Sequence, residues 1–219
     1  MAETFERQSN LKKDIIQVQG EGSVAASPDT ATVTVGVSTE VQDLVQGQQQ
    51  NARAVAAVIQ SIQQTGIPSE NIKTLDYRIE SVYDYKDGVQ TFRGYKITHL
   101  LQVTISDLEK VGTVVDTAVQ NGANYISDIA FTAKRKEGLY NEALELAVRN
   151  SFNKAKTIAG AINVALDSVP VQVEENRIAR PLMEYQVPMV KGATSTPIQP
   201  GQLLIEATIT AIYSFTRRN

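Results

Sequence analysis

One histidine and a cluster of carboxylates near a tight turn are the residues of this 219-residue chain best suited by type and spacing to chemistry. His99 sits between Ile97 and Leu101 in an alternating run, on the odd-numbered face that points towards the core or a subunit contact. A working imidazole needs a carboxylate or hydroxyl to set its tautomer, and the sequence assigns it none. His99 therefore reads as a hydrogen-bonded structural residue. Glu80, Asp84 and Asp87 gather beside Tyr83 and Tyr85. Paired carboxylates can run acid–base chemistry or hold Ca²⁺. The run DYKDG lacks the ligand spacing of an EF-hand, however, and a hairpin tip is normally solvated, so these carboxylates read as a wet face.

Other candidates fall for geometric reasons. Glu174 and Glu175 point to opposite faces of a strand and form no local dyad. Gly20-Glu21-Gly22 follows a strand as a phosphate cradle would, yet the chain continues into another strand and not into a helix N-terminus. No Gly-x-Ser-x-Gly elbow occurs, and one histidine leaves little room for a Ser–His arrangement. The expectation is a chain with no catalytic residue, no cofactor and no metal site.

Composition narrows the field further. There is no cysteine, which excludes disulfides, thiolate metal sites, iron–sulfur clusters and a cysteine nucleophile. A single histidine excludes a multi-histidine metal site within one chain. The net charge is −3 and no long basic run appears, which speaks against nucleic acid and against a polybasic membrane anchor. No stretch of about 18 apolar residues exists to span a bilayer as a helix. The opening MAETFERQSNLKKD lacks an apolar signal region, so the expected compartment is the cytoplasm, with the periplasm or cell surface the alternative if a signal peptide has been removed.

The elements that would hold these residues follow from periodicity. Residues 1–13 read as a flexible polar leader and 217–219 as a tail, with one continuous domain over 14–216. A short strand over 14–19 ends at a Gly20–Gly22 break, and Pro28-Asp29 turns the chain into a strand over 30–38. There Ala31, Val33, Val35 and Val37 form one buried face, while Thr32 and Thr34 lie on an outer face that is solvated or paired, like Thr208 and Thr210 on the last strand. Three- and four-residue spacing predicts a helix over 40–65, with a capping box at Thr39 and Gln42 and an end at Gly66 and Pro68. Strands over 74–85 and 93–106 flank Asp87-Gly88, a strong hairpin signal. A helix over 107–121, boxed by Ser106 and Glu109 and closed by Gly122, precedes a strand over 125–132. The longest helix covers 136–162, with a face that includes Leu139, Ala143, Leu146, Ala147, Phe152, Ala155 and Ile158. A strand near 167–175, a proline-rich loop over 180–201 and a final alternating strand complete the order ββα, ββα, βα, ββ. This is an α+β chain: antiparallel sheets with helices on one face, in two intimately packed lobes.

Two surfaces look made for contact. Tyr83, Tyr85, Phe92 and Tyr95 cluster at the hairpin, where aromatics either fill the protein's own core or meet a partner. The proline-rich loop is the second.

The order of motifs resembles the SIMPL-domain family of YggE-like bacterial proteins. Gly20 and Gly22 before Pro28-Asp29, then Gly66-Ile67 with Ile72 and Thr74, then Gly94-Tyr95, then the alanine-rich stretch ALELAVRNSFNKAKTIAGAI carry the resemblance over about residues 15–216. The resemblance implies an α+β protein that assembles into homo-oligomers, some ring- or channel-like, often periplasmic or surface-associated and linked to stress tolerance. It implies no catalytic residues. The leading expectation is a non-enzymatic, self-assembling and stress-protective protein. The alternatives are an adaptor that binds a partner protein through the hairpin or the proline-rich loop, and an enzyme whose site forms between subunits.

Overall fold

In the computed structural model, residues 14–176, 183–185 and 196–218 are described. The expected leader and most of the proline-rich loop lie outside them. The chain divides into two compact units interleaved in sequence. One gathers the described residues within 1–26, 135–185 and 202–219; the other gathers those within 27–134 and 186–201.

The second unit is a four-stranded antiparallel sheet with helices on one face. Its strands are β2 (Thr30–Val41), β3 (Ile72–Lys86), β4 (Val89–Ile105) and β5 (Tyr125–Thr132), in the order β3-β4-β2-β5. Helices α1 (Leu44–Gln64) and α2 (Val111–Gln120) cover it. The odd residues of β2 and β4 meet Val55, Val58 and Ile62 of α1 and Val111, Val114 and Ala118 of α2 in one core. The expected alternation of β2 holds on that face. On its other face, read as solvated or paired, Thr34 is buried and Thr32 half-buried, with β2 paired on both sides.

Two helix starts differ from the sequence reading. Strand pairing carries β2 on to Val41, opposite Tyr95, so Thr39 and Gln42 cap nothing. Asp43 caps α1, its carboxylate accepting from the Gln46 amide at 2.8 Å. Likewise Asp107, and not Ser106, accepts from the Glu109 amide and starts a short 3₁₀ turn ahead of α2. The polar Asn51 lies buried among the apolar positions of α1. Its amide nitrogen donates to the carbonyl oxygens of Val37 (3.1 Å) and Ile97 (3.3 Å), tying the helix to two adjacent strands.

The first unit contains β1 (Ile15–Ala26), α3 (Lys136–Ala161), β6 (Val164–Leu166), β7 (Gln172–Glu175), β8 (Met183–Tyr185) and β9 (Gln202–Arg217). The long β9 pairs with β1 along one edge and with the short β6, β7 and β8 along the other. The strand expected near 167–175 is confined to β7, with β6 lying ahead of that range, and the expected loop contains β8.

The Gly20–Gly22 break is not observed, because β1 runs straight through it to Ala26. The glycines are there because α3 lies directly on the strand. A Cβ on Gly20 would collide with the carbonyl oxygen of Ala147, and one on Gly22 with that of Ala143. The helix answers with a stripe of five small side chains at four-residue spacing, Ala143, Ala147, Ser151, Ala155 and Ala159, all buried. Leu146 and Ile158, expected on the buried face, are exposed instead. Ser151 closes the contact with its hydroxyl 2.9 Å from that of the buried Tyr213.

Gly22→Ala should therefore cost about 1–3 kcal/mol or more, the range for overpacking a tight core. Gly138→Ala, on α3 but facing only the Arg135 side chain, should be neutral or stabilising by up to about 1 kcal/mol. Urea unfolding of the two variants checks this, and equal effects would contradict the close-approach account.

Candidate functional site

The most conspicuous surface is built by a mismatch in strand length. β4 pairs with β2 only from Ile105 to Tyr95, whereas its pairing with β3 continues to Val89. Residues 82–94 therefore leave the sheet as a ribbon of two strands. The turn is the expected one: Asp87 (φ 53°) and Gly88 (φ 80°) both adopt the left-handed conformation of a type I′ hairpin.

A two-stranded ribbon alone in water is marginal. This one is held by its own aromatics and by one arginine. Tyr83 and Phe92 meet edge to face at 5.7 Å between ring centroids, and Phe92 and Tyr95 at 5.2 Å. Arg93 is the extra residue of a bulge opposite Val82 and Tyr83. Its guanidinium lies 2.6 Å from Glu40 of β2 and 3.5 Å from Asp84, pinning the base of the ribbon.

The four aromatics expected to form a contact surface are thus brought together, but not equally. Tyr95 is half-buried, while Tyr83 (43%), Phe92 (47%) and Tyr85 (73%) stay exposed. Tyr77 and Ile79, also exposed, extend the surface, while the exposed Val89 pairs with Lys86 on the opposite face of the ribbon. For Tyr77 and Ile79 the signal was present in the alternation of β3, since they share the odd positions with Tyr83 and Tyr85.

The candidate chemical residues are placed as follows. His99 finds the hydroxyl partner that sequence could not assign: its Nε2 lies 3.2 Å from Thr74 Oγ1. The Tyr77 ring stands edge-on to it at 5.2 Å. Partial burial holds the imidazole below its usual range by penalising the charged form. No carboxylate bonds the ring among the described residues, so the third member that orients a catalytic imidazole is missing from this arrangement. Asp84 is paired with Arg93, Glu80 lies 4.0 Å from Arg78, and Asp87 sits in the turn, so the three do not converge. Glu174 and Glu175 both lie on the exposed β7, where Glu175 accepts from the Tyr140 hydroxyl at 2.7 Å.

Among the described residues no group of three or more His, Asp or Glu side chains is arranged to hold a metal ion, and no helix is long and apolar enough to cross a membrane. In the first unit a shallow, open groove of about 520 Å³ runs between β1 and α3, bordered by Val18, Gln19 and Thr157. Glu21 and Lys154 face each other there at 3.5 Å, an exposed ion pair of small energetic weight.

Comparison with known proteins adds a family. Residues 16–213 match the family described as "SIMPL: Protein of unknown function (DUF541)". The chain is 30% identical over 196 residues to the "26 kDa periplasmic immunogenic protein" of Brucella melitensis biotype 1, covering 87% of this chain and 76% of that protein. It is 27% identical over 154 residues to the "Uncharacterized protein YggE" of Escherichia coli (strain K12), covering 70% and 63% respectively. It is also 27% identical over 166 residues to the human "Interleukin-1 receptor-associated kinase 1-binding protein 1", covering 73% and 59%.

The lowered pKa of His99 has a consequence for stability. Below about pH 6.5 the unfolded chain binds a proton that the folded site resists, so the stability present above pH 6.5 is lost as pH falls through the folded pKa. Urea midpoints at pH 7.5 and pH 5 should differ less in His99→Gln than in the parent, and an unchanged difference would remove His99 from the account.

Proposed function

The chain belongs to the SIMPL family, and from that premise we propose that it is a non-enzymatic protein that works by assembling with copies of itself. The observation that carries this reading is the ribbon at residues 82–94. It exposes Tyr83, Tyr85, Val89 and Phe92 at one end of the second unit. Burying such side chains is worth about 1.5–3 kcal/mol each, so leaving them in water is costly unless a partner covers them. Protection under stress is the setting that family resemblance implies for such an assembly. For location, the printed name of the Brucella relative favours the periplasm over the cytoplasm.

A second reading is an adaptor that uses the same ribbon to bind a different protein. The printed name of the human relative, a kinase-binding protein, favours it.

Light scattering coupled to size exclusion across a hundredfold dilution separates the two. Self-assembly requires a discrete mass that is a multiple of 23.9 kDa and survives dilution. A Tyr83→Ser, Tyr85→Ser, Phe92→Ser variant should then dissociate at concentrations at least about tenfold higher than the parent, given the apolar area removed. A parent that elutes at 23.9 kDa throughout would overturn the assembly reading and leave the adaptor.

A further inference from the structure

We propose that β3 is the seam of this assembly: two copies pair their β3 strands edge to edge, antiparallel, about a two-fold axis through Ser81. The inference rests on the self-assembly reading above and names its interface. β3 is the outer strand of the order β3-β4-β2-β5, so one side of its backbone has no strand partner among the described residues.

Proteins usually blunt such an edge with proline, a bulge, shortness, a covering element or charged side chains, and of these β3 carries charges of both signs. The bulge at Thr74 and Asp76 places the extra residue, Leu75, in β3, but at Val82 and Tyr83 the extra residue is Arg93 of β4. β3 is therefore unbroken from Asp76 to Lys86, a long proline-free edge whose midpoint is Ser81.

Most of the side chains on this stretch are complementary to themselves when reversed, Glu80 opposite Val82 being the exception. With Ser81 opposite Ser81, Asp76 faces the second copy's Lys86, and Arg78 faces its Asp84. On the other face Tyr77 meets Tyr85, and Ile79 meets Tyr83. Each pair occurs twice, by symmetry. Opposite charges and aromatic or aromatic–β-branched pairs are the combinations that stabilise directly opposed positions.

Neighbouring registers lose this match. Centring on Glu80 sets Asp76 against Asp84 and Glu80 against itself. Centring on Val82 sets Arg78 against Lys86 and Glu80 against Asp84. Centring on Ile79 lays Tyr83 against the bulged Leu75. The apolar members Tyr77, Ile79, Tyr83 and Tyr85 are all exposed, as are the charged ones at positions 78, 84 and 86. The ion pairs of Arg78 with Asp76 (3.1 Å) and of Asp84 with Arg93 (3.5 Å) are solvent-exposed and do not prevent new partners.

The absence of cysteine makes the register directly readable. Directly opposed residues of an antiparallel pair have Cα atoms about 4.5–5.5 Å apart, within disulfide range. Ser81→Cys should cross-link to itself under mild oxidation. Tyr77→Cys and Tyr85→Cys should not cross-link to themselves, but should do so when mixed. Charge exchange gives an independent readout. Arg78→Asp alone and Asp84→Lys alone should each weaken association at least about tenfold, since like charges then oppose on both sides of the axis. Mixing the two variants restores both pairs and should restore the parent mass as a mixed species. If the parent assembles but Ser81→Cys stays unlinked and both charge variants assemble alone, the β3 seam is overturned and self-assembly stands. If the parent is a monomer at every concentration, both fall together.

Discussion

The antiparallel register of β2 on β4 is the constraint from which the second unit follows. Setting Val33 against Val103 and Val35 against Leu101 stacks the odd residues of both strands into the face that α1 and α2 cover. Asn51 spans the two strands because this register puts the carbonyl oxygens of Val37 and Ile97 within reach of one amide group. At the far end it brings Gly94 so close to the Val41 carbonyl that a side chain there would collide. Beyond that point β2 turns away into α1, and β4 goes on with β3 alone.

The exposed aromatic surface is thus a by-product of unequal strand lengths and not of a dedicated loop. A central strand must stop where its helix begins, but a hairpin strand can run on until its turn. Among the described residues, the overrun leaves the ribbon without a third strand. The first unit handles its own edge differently. There α3 lies close against β1, and Asn150 of the helix accepts the Glu21 amide at 3.1 Å. That edge is blunted by a side chain, whereas among the described residues no strand pairs with the outer edge of β3.

Among the described residues, the side chains best suited by type to chemistry are engaged by neighbours instead. Its one imidazole is engaged by a threonine hydroxyl and a tyrosine edge, and its carboxylates are spread over caps, turns and surface ion pairs. Asp29 illustrates the pattern. Its carboxylate accepts from Thr30 Oγ1 at 2.8 Å and from the Lys134 amide at 3.0 Å, bonds that lower its pKa while fixing the turn into β2.

What sequence alone determined was everything set by local periodicity and turn chemistry. The alternation of β2, β4 and β9 showed their buried faces, Asp87-Gly88 marked the hairpin, and Gly66 and Gly122 marked helix ends. The α+β class followed from their order, because each signal depends only on neighbours along the chain. Tertiary structure decided whatever depends on what lies across from a residue. Gly20 and Gly22 look like a break until a helix backbone is found against them, and whether Thr34 is solvated or paired is open until β2 proves to be a central strand. Leu146 and Ile158 look buried until the small-residue stripe of α3 takes the contact. The hydroxyl beside His99 and the open edge of β3 belong to the same class. Burial and partnership are properties of pairs of segments far apart in the chain, and no periodicity within one segment encodes its neighbour.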